Sequence, residues 1–153
     1  MSGESWFVAG ETKRLDLSGG QWLVVKTHLN TGEEREMLRR ASQVGTDGVR
    51  RLDALLNAQA TIVAYVVDWS LTGIDGKPVV IRGKDAATVI AILDALDPDR
   101  FREIKEAVEA HEQAMADARA EEKKLRTGVS GSSPTSPSPD AVAGAMSGSA
   151  ILT

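Results

Sequence analysis

Cysteine is absent from this chain of 153 residues. That removes disulfides, thiolate nucleophiles and cysteine-built zinc sites together, and leaves packing as the source of stability. No run approaches the roughly 18 apolar residues needed to cross a bilayer. The opening Met1-Ser-Gly-Glu-Ser has neither the basic start nor the long apolar stretch of a signal peptide, so a cytoplasmic protein is expected. Positive charge is not in excess either: 18 Lys and Arg stand against 22 Asp and Glu, a formal net charge of -4. The single-sign field that drives phosphate-backbone binding is missing, and nucleic acid is not an expected partner. Ser-His-Asp sets, phosphate loops, paired metal histidines and the Gly-x-Ser-x-Gly elbow do not occur, and the two histidines, His28 and His111, lie in differently patterned segments. No catalytic, cofactor-binding or metal-ligating residue is assigned.

What is present describes one moderate-sized domain over residues 1–126 and a tail over 127–153. The tail is rich in Ser, Gly, Pro and Ala, buries too little apolar surface to offset the entropy of ordering it, and is expected to be disordered. In the domain, Thr12–Leu17 and Gln21–Leu29 show partial alternation around Ser18-Gly-Gly and predict a β-hairpin, since glycine accepts the positive φ of tight turns. Thr31 stands three residues before Glu34 in capping-box spacing and opens a helix over 32–42. The break Val44-Gly-Thr-Asp-Gly follows. From Val49 to Trp69, apolar residues recur mostly at three- and four-residue steps, which predicts a buried central helix. The β-branched Thr61-Ile-Val and Val66-Val leave a strand open for its second half.

Tyr65, Asp68 and Trp69 fall at the end of that predicted helix. Tyr65 and Trp69, four apart, share a face and cover the edge of the core, while Asp68 lacks the second group that general acid/base work needs. Trp22, Tyr65, Asp68 and Trp69 are therefore read as structural anchors. Asp75-Gly76 marks a turn before a short edge strand at Lys77–Arg82, with Pro78 barring a central ladder position. A helix over 85–96 ends at Asp97-Pro98, and a long charged helix runs from Asp99 to Arg126. Its stripe Phe101, Ile104, Val108, His111 and Met115 is divided between duties. Phe101 and Ile104 are assigned to the core; Val108, His111 and Met115 are the candidate partner-binding residues. The expected fold class is α+β, mainly α-helical, with an N-terminal β-hairpin packed on a helical bundle.

The order of these features resembles a family. Gln21-Trp-Leu-Val-Val-Lys, Thr31-Gly-Glu-Glu-Arg-Glu-Met-Leu-Arg-Arg, Ala64-Tyr-Val-Val-Asp-Trp-Ser-Leu-Thr with Asp75-Gly-Lys-Pro-Val, and Leu93-Asp-Ala-Leu-Asp-Pro are similar to the tail assembly chaperones of long-tailed bacteriophages, over Glu11 to Lys124. The resemblance implies a non-enzymatic protein of the host cytoplasm that coats the tape measure protein, recruits tail tube subunits and leaves the finished virion. Self-association is left open. It also makes Glu121-Glu-Lys-Lys-Leu a place to look for a programmed frameshift, although Lys123 and Lys124 are equally cations at a helix end. Two other readings stay in view: a structural virion component at the head-to-tail connector or tail, and a small enzyme centred on Asp68 and Tyr65.

Overall fold

The computed structural model describes residues 5–127. The chain divides into two units, Met1–Ala118 and Arg119–Thr153; of the second, the described part is the C-terminal end of the last helix and Thr127. The predicted disorder of the tail falls almost wholly outside the described residues. The fold is α+β and mainly helical. In order, the elements are β1 (Thr12–Asp16), a 3₁₀ turn (Ser18–Gly20), β2 (Trp22–Lys26), α1 (Thr31–Arg40), β3 (Ser42–Val44), β4 (Arg50–Leu52), α2 (Ala54–Tyr65), β5 (Val66–Trp69), α3 (Ala86–Asp94) and α4 (Pro98–Arg126).

The predicted N-terminal hairpin forms as β1 and β2, antiparallel, with Leu15 opposite Leu23. Gly19 and Gly20 turn the chain at φ of 66° and 75°, values that a side chain with a Cβ resists. Along β2 the pleat alternates, so Leu23 and Val25 lie wholly buried while Trp22, Val24 and Lys26 are half-buried. This strand is central: β5 pairs on its other side, giving the order β1-β2-β5. Val24 faces Asp68 and Val25 faces Val66, leaving Val67 as the extra residue of a β-bulge.

The long central helix predicted for Val49–Trp69 is in fact three elements. Arg50–Leu52 is strand β4, which pairs with β3 across the turn at Gly45–Val49; the segment read as a mere break is the tip of a second hairpin. Asp53 then starts α2, its carboxylate accepting from the amides of Leu55 (2.9 Å) and Leu56 (3.0 Å). At the other end the helix stops at Tyr65, because Val66 and Val67 are β-branched and the open edge of β2 offers them a ladder. Of the two β-branched clusters that left a strand open, tertiary pairing makes a strand of Val66–Trp69, while Thr61-Ile-Val stays within α2. Lys77–Arg82 differs from its prediction: instead of a strand there is an isolated bridge between Thr72 and Pro78, with the Val79 amide donating to Leu71 O at 3.0 Å.

The cap of α1 is shifted by one residue. Asn30, not Thr31, accepts from the Glu33 amide at 2.9 Å and donates back to the Glu33 carboxylate, so the reciprocal pair is Asn30 with Glu33. Asp85 caps α3 through the Thr88 amide, and those hydrogen bonds from Thr88 hold its carboxyl below its ordinary range. Asp97 accepts from Asp99 and Arg100 ahead of Pro98, which occupies the first helical position, where its missing N–H costs nothing. One core gathers these elements: Leu23 and Val25 from β2, Ile62 and Tyr65 from α2, Trp69, Val89 and Leu93 from α3, and Ile104 and Val108 from α4. From Ala116 to Thr127 every residue is exposed.

Candidate functional site

The anchors divide between core and surface. Tyr65 is buried with its ring edge-on to His111, centroids 5.8 Å apart and planes at 87°. Trp69 is buried too, and its indole N–H donates to Val79 O at 2.7 Å, tying the excursion between β5 and α3 back to the sheet. Both side chains belong to the core, but from different elements; the shared helix face expected for them does not exist, because Trp69 sits on a strand. Asp68 points to the surface, where Arg82 approaches one carboxylate oxygen at 3.5 Å and the Trp69 amide donates to the other at 2.9 Å. Trp22 is half-buried beneath the Arg14 guanidinium, 5.1 Å from the ring centroid, and its backbone N–H donates to Ser70.

Two of the three proposed partner-binding residues are placed elsewhere. Val108 is fully buried and His111 is 3% exposed. His111 Nε2 lies 2.8 Å from Lys26 O, joining α4 to the end of β2. The stripe on α4 continues into the core further than its distance from Pro98 suggests, because the sheet lies along it and takes one apolar residue per turn. Met115 is half-buried and ends the stripe.

An open apolar surface lies nearer the start of α4. A groove of about 650 Å³ runs between the start of α2, the end of α3 and the first turns of α4, floored by Leu55, Leu56, Leu93, Leu96, Pro98 and Phe101. Each lining element is positioned by a cap described above: Asp53 fixes Leu55 and Leu56 in the first turn of α2, and Asp97 starts α4 at Pro98. Gln59 donates to Asp94 across the groove from α2 to α3. On the α4 wall, Arg102 pairs with Asp99 at 2.8 Å and Lys105 with Glu109 at 3.4 Å, exposed pairs worth little and readily exchanged. Leu55 is 76% exposed. An uncovered leucine at the mouth of a groove floored by leucines and Phe101 marks a candidate binding surface.

Beside the groove, the turn after β1 is latched to α4. The Ser18 amide and hydroxyl both donate to the Glu103 carboxylate, at 2.6 and 2.9 Å, and Arg100 donates to the Ser18 hydroxyl at 2.9 Å. These hydrogen bonds, the Ser18 amide first, hold the Glu103 carboxyl below its ordinary range. The latch fixes the angle of α4 against the hairpin, and with it the position of Phe101 and Pro98.

Leu55 and Leu56 read in the sequence as part of a buried central helix, whereas Leu55 is exposed; Leu93 lines the groove and is also a core residue. Nothing in a one-dimensional pattern distinguishes a residue facing a neighbour from one facing a gap between neighbours. Among the described residues no group of three or more His, Asp or Glu is arranged to hold a metal ion, and no helix is long and apolar enough to cross a membrane. Comparison with protein-family models, with curated proteins and with solved structures finds no match for the chain.

Proposed function

We propose that this protein is a non-enzymatic tail assembly chaperone of long-tailed bacteriophages, acting in the host cytoplasm on the tape measure protein and recruiting tail tube subunits to it. The observation that carries the reading is the open groove on Leu55, Leu56, Leu93, Leu96, Pro98 and Phe101. A tape measure protein is a long helical chain, and an amphipathic helix seats apolar side chains at three- and four-residue spacing into such a groove. The motif order from Glu11 to Lys124 supplies the family; the groove supplies a surface suited to its partner. On this reading the tape measure protein meets the first turns of α4, not the buried Val108 and His111 further along it.

Co-expression tests this. Leu55→Glu changes a residue that is 76% exposed and leaves the core intact. The wild type should keep the phage's tape measure protein soluble, and the folded Leu55→Glu variant should leave it in the pellet. Full rescue by the variant would remove the groove from the mechanism. Detection of the protein in purified particles by mass spectrometry would replace a transient chaperone with a structural virion component.

A further inference from the structure

The chain makes the same turn twice. Gly45-Thr-Asp-Gly-Val49 and Gly73-Ile-Asp-Gly-Lys77 share the pattern Gly-x-Asp-Gly, and their backbones hydrogen-bond alike. The Gly45 amide donates to Val49 O and the Gly73 amide to Lys77 O, both at 2.9 Å; the Gly48 amide donates to Gly45 O and the Gly76 amide to Gly73 O, again at 2.9 Å. Gly48 and Gly76 both sit at φ 77°, the left-handed conformation that glycine accepts. In each turn the aspartate folds its carboxylate back over the following glycine: Asp47 accepts from the Val49 amide and Asp75 from the Lys77 amide, each at 3.0 Å. One contact separates the two. Arg51 holds Asp47 in a fork of two hydrogen bonds, at 3.1 and 2.6 Å, the geometry in which even an exposed ion pair counts. That fork, ahead of the hydrogen bond from Val49, keeps the Asp47 carboxyl below its ordinary range. Four residues after Asp75 the chain has Val79 instead, and among the described residues no ion pair involves Asp75.

The chemistry of an Asp-Gly pair depends on that difference. The glycine amide nitrogen attacks the aspartate Cγ, unobstructed because glycine has no side chain. A C–N bond forms, the C–OH bond breaks, and the hydroxyl leaves with the amide proton as water, giving a cyclic imide. Water then reopens the imide at either carbonyl; opening at the backbone carbonyl leaves isoaspartate, with an additional methylene in the main chain and no net change in mass. The carboxyl reacts in its protonated form, since a carboxylate repels the nucleophile and has no good leaving group. We propose that Asp75 is a site of spontaneous isoaspartate formation in the folded protein, and that Arg51 protects Asp47 in the matching turn from the same reaction. The glycine amides are tied down equally, so that brake acts on both turns, and both aspartates are exposed. The consequence at Asp75 is local. The excursion it belongs to is held at its base by the Val79 amide on Leu71 O and the Trp69 indole on Val79 O, while Ile74 stands fully exposed at the tip. An inserted methylene shifts that tip and leaves the core in place. The inference rests on the two turns and not on the chaperone reading.

Prolonged incubation of the purified full-length protein at body temperature and mildly acidic pH tests the inference. After digestion, mass spectrometry with electron-transfer fragmentation, which distinguishes isoaspartate from aspartate, measures each Asp-Gly pair. Isoaspartate should build up at Asp75 several-fold faster than at Asp47. In concentrated urea the two rates should converge, because unfolding removes the Arg51 fork. Arg51→Ala, a change at a largely exposed side chain, should bring the Asp47 rate up to that of Asp75 and leave Asp75 unchanged. The urea comparison needs no variant, so it decides even where Arg51→Ala fails to fold. Equal rates in the folded wild type, a faster Asp47, a difference that persists in urea, or an Asp47 rate insensitive to the loss of Arg51 in a folded variant would each overturn the proposal.

Discussion

Trp69 offers the sharpest test of how the core is held. It ends β5 opposite Leu23, is 5% exposed, and reaches through its indole N–H to Val79 O at 2.7 Å. Truncation to alanine removes a buried ring, a change that typically costs about 3–5 kcal/mol, of which about 1 kcal/mol is the net worth of the hydrogen bond. Against the roughly 5–15 kcal/mol that stabilises an ordinary domain, this is a large fraction. With a urea slope of about 2 kcal/mol per molar, a loss of about 4 kcal/mol lowers the unfolding midpoint by about 2 M. Trp69→Phe keeps most of the packing and loses the donor, so it should cost about 1–2 kcal/mol, clearly less than the alanine variant. Urea titration followed by far-UV circular dichroism measures both, since fluorescence would be altered by removing the fluorophore itself. A Trp69→Ala loss below about 0.5 kcal/mol, the range of unimportant surface changes, would refute burial as the source of stability here. Equal losses for the two variants would assign the effect to the tie on Val79 instead of to the ring.

Asn30→Ala should cost about 1 kcal/mol by removing the side chain that caps α1, while Thr31→Ala, one residue along, should stay within about 0.5 kcal/mol; the same urea titration separates the two positions. Glu112 shifts in the opposite sense from Asp85 and Glu103. Burial, followed by the negative charges of Glu109 and Glu34 and opposed by His111, raises its pKa above the ordinary 4.5. The folded state therefore holds this proton more tightly than the unfolded chain, and stability falls as pH rises through the window above 4.5. Glu112→Gln should accordingly raise the melting temperature at neutral pH and leave it unchanged well below the ordinary carboxylate range. A gain of equal size at both pH values would show that the charge is not its cause.

What the sequence determined by itself was local. The glycine pair after Leu17 specifies the turn of the first hairpin whatever surrounds it, because positive φ is a property of the residue. Asp85 before α3, and Asp97 before α4 with Pro98 as its first residue, mark helix starts through side chains that reach no further than the next turn. The mainly helical α+β class follows from such signals together with periodicity. Near Asn30 and Thr31 two adjacent residues are both able to cap, and the choice of Asn30 is visible only in the folded backbone.

Tertiary structure decided everything that depends on a partner strand or on an edge. Val66–Trp69 continues the apolar pattern of α2, and only the open side of β2 makes it a strand. Val108 and His111 read as spare residues on a long helix, yet the sheet and Tyr65 lie against them and close them off. Leu55 reads as core and is left 76% exposed, because the elements around it diverge and leave a groove. Periodicity specifies which face of an element is apolar; whether that face meets a neighbour or a gap depends on contacts between residues far apart in the chain, which no local pattern encodes.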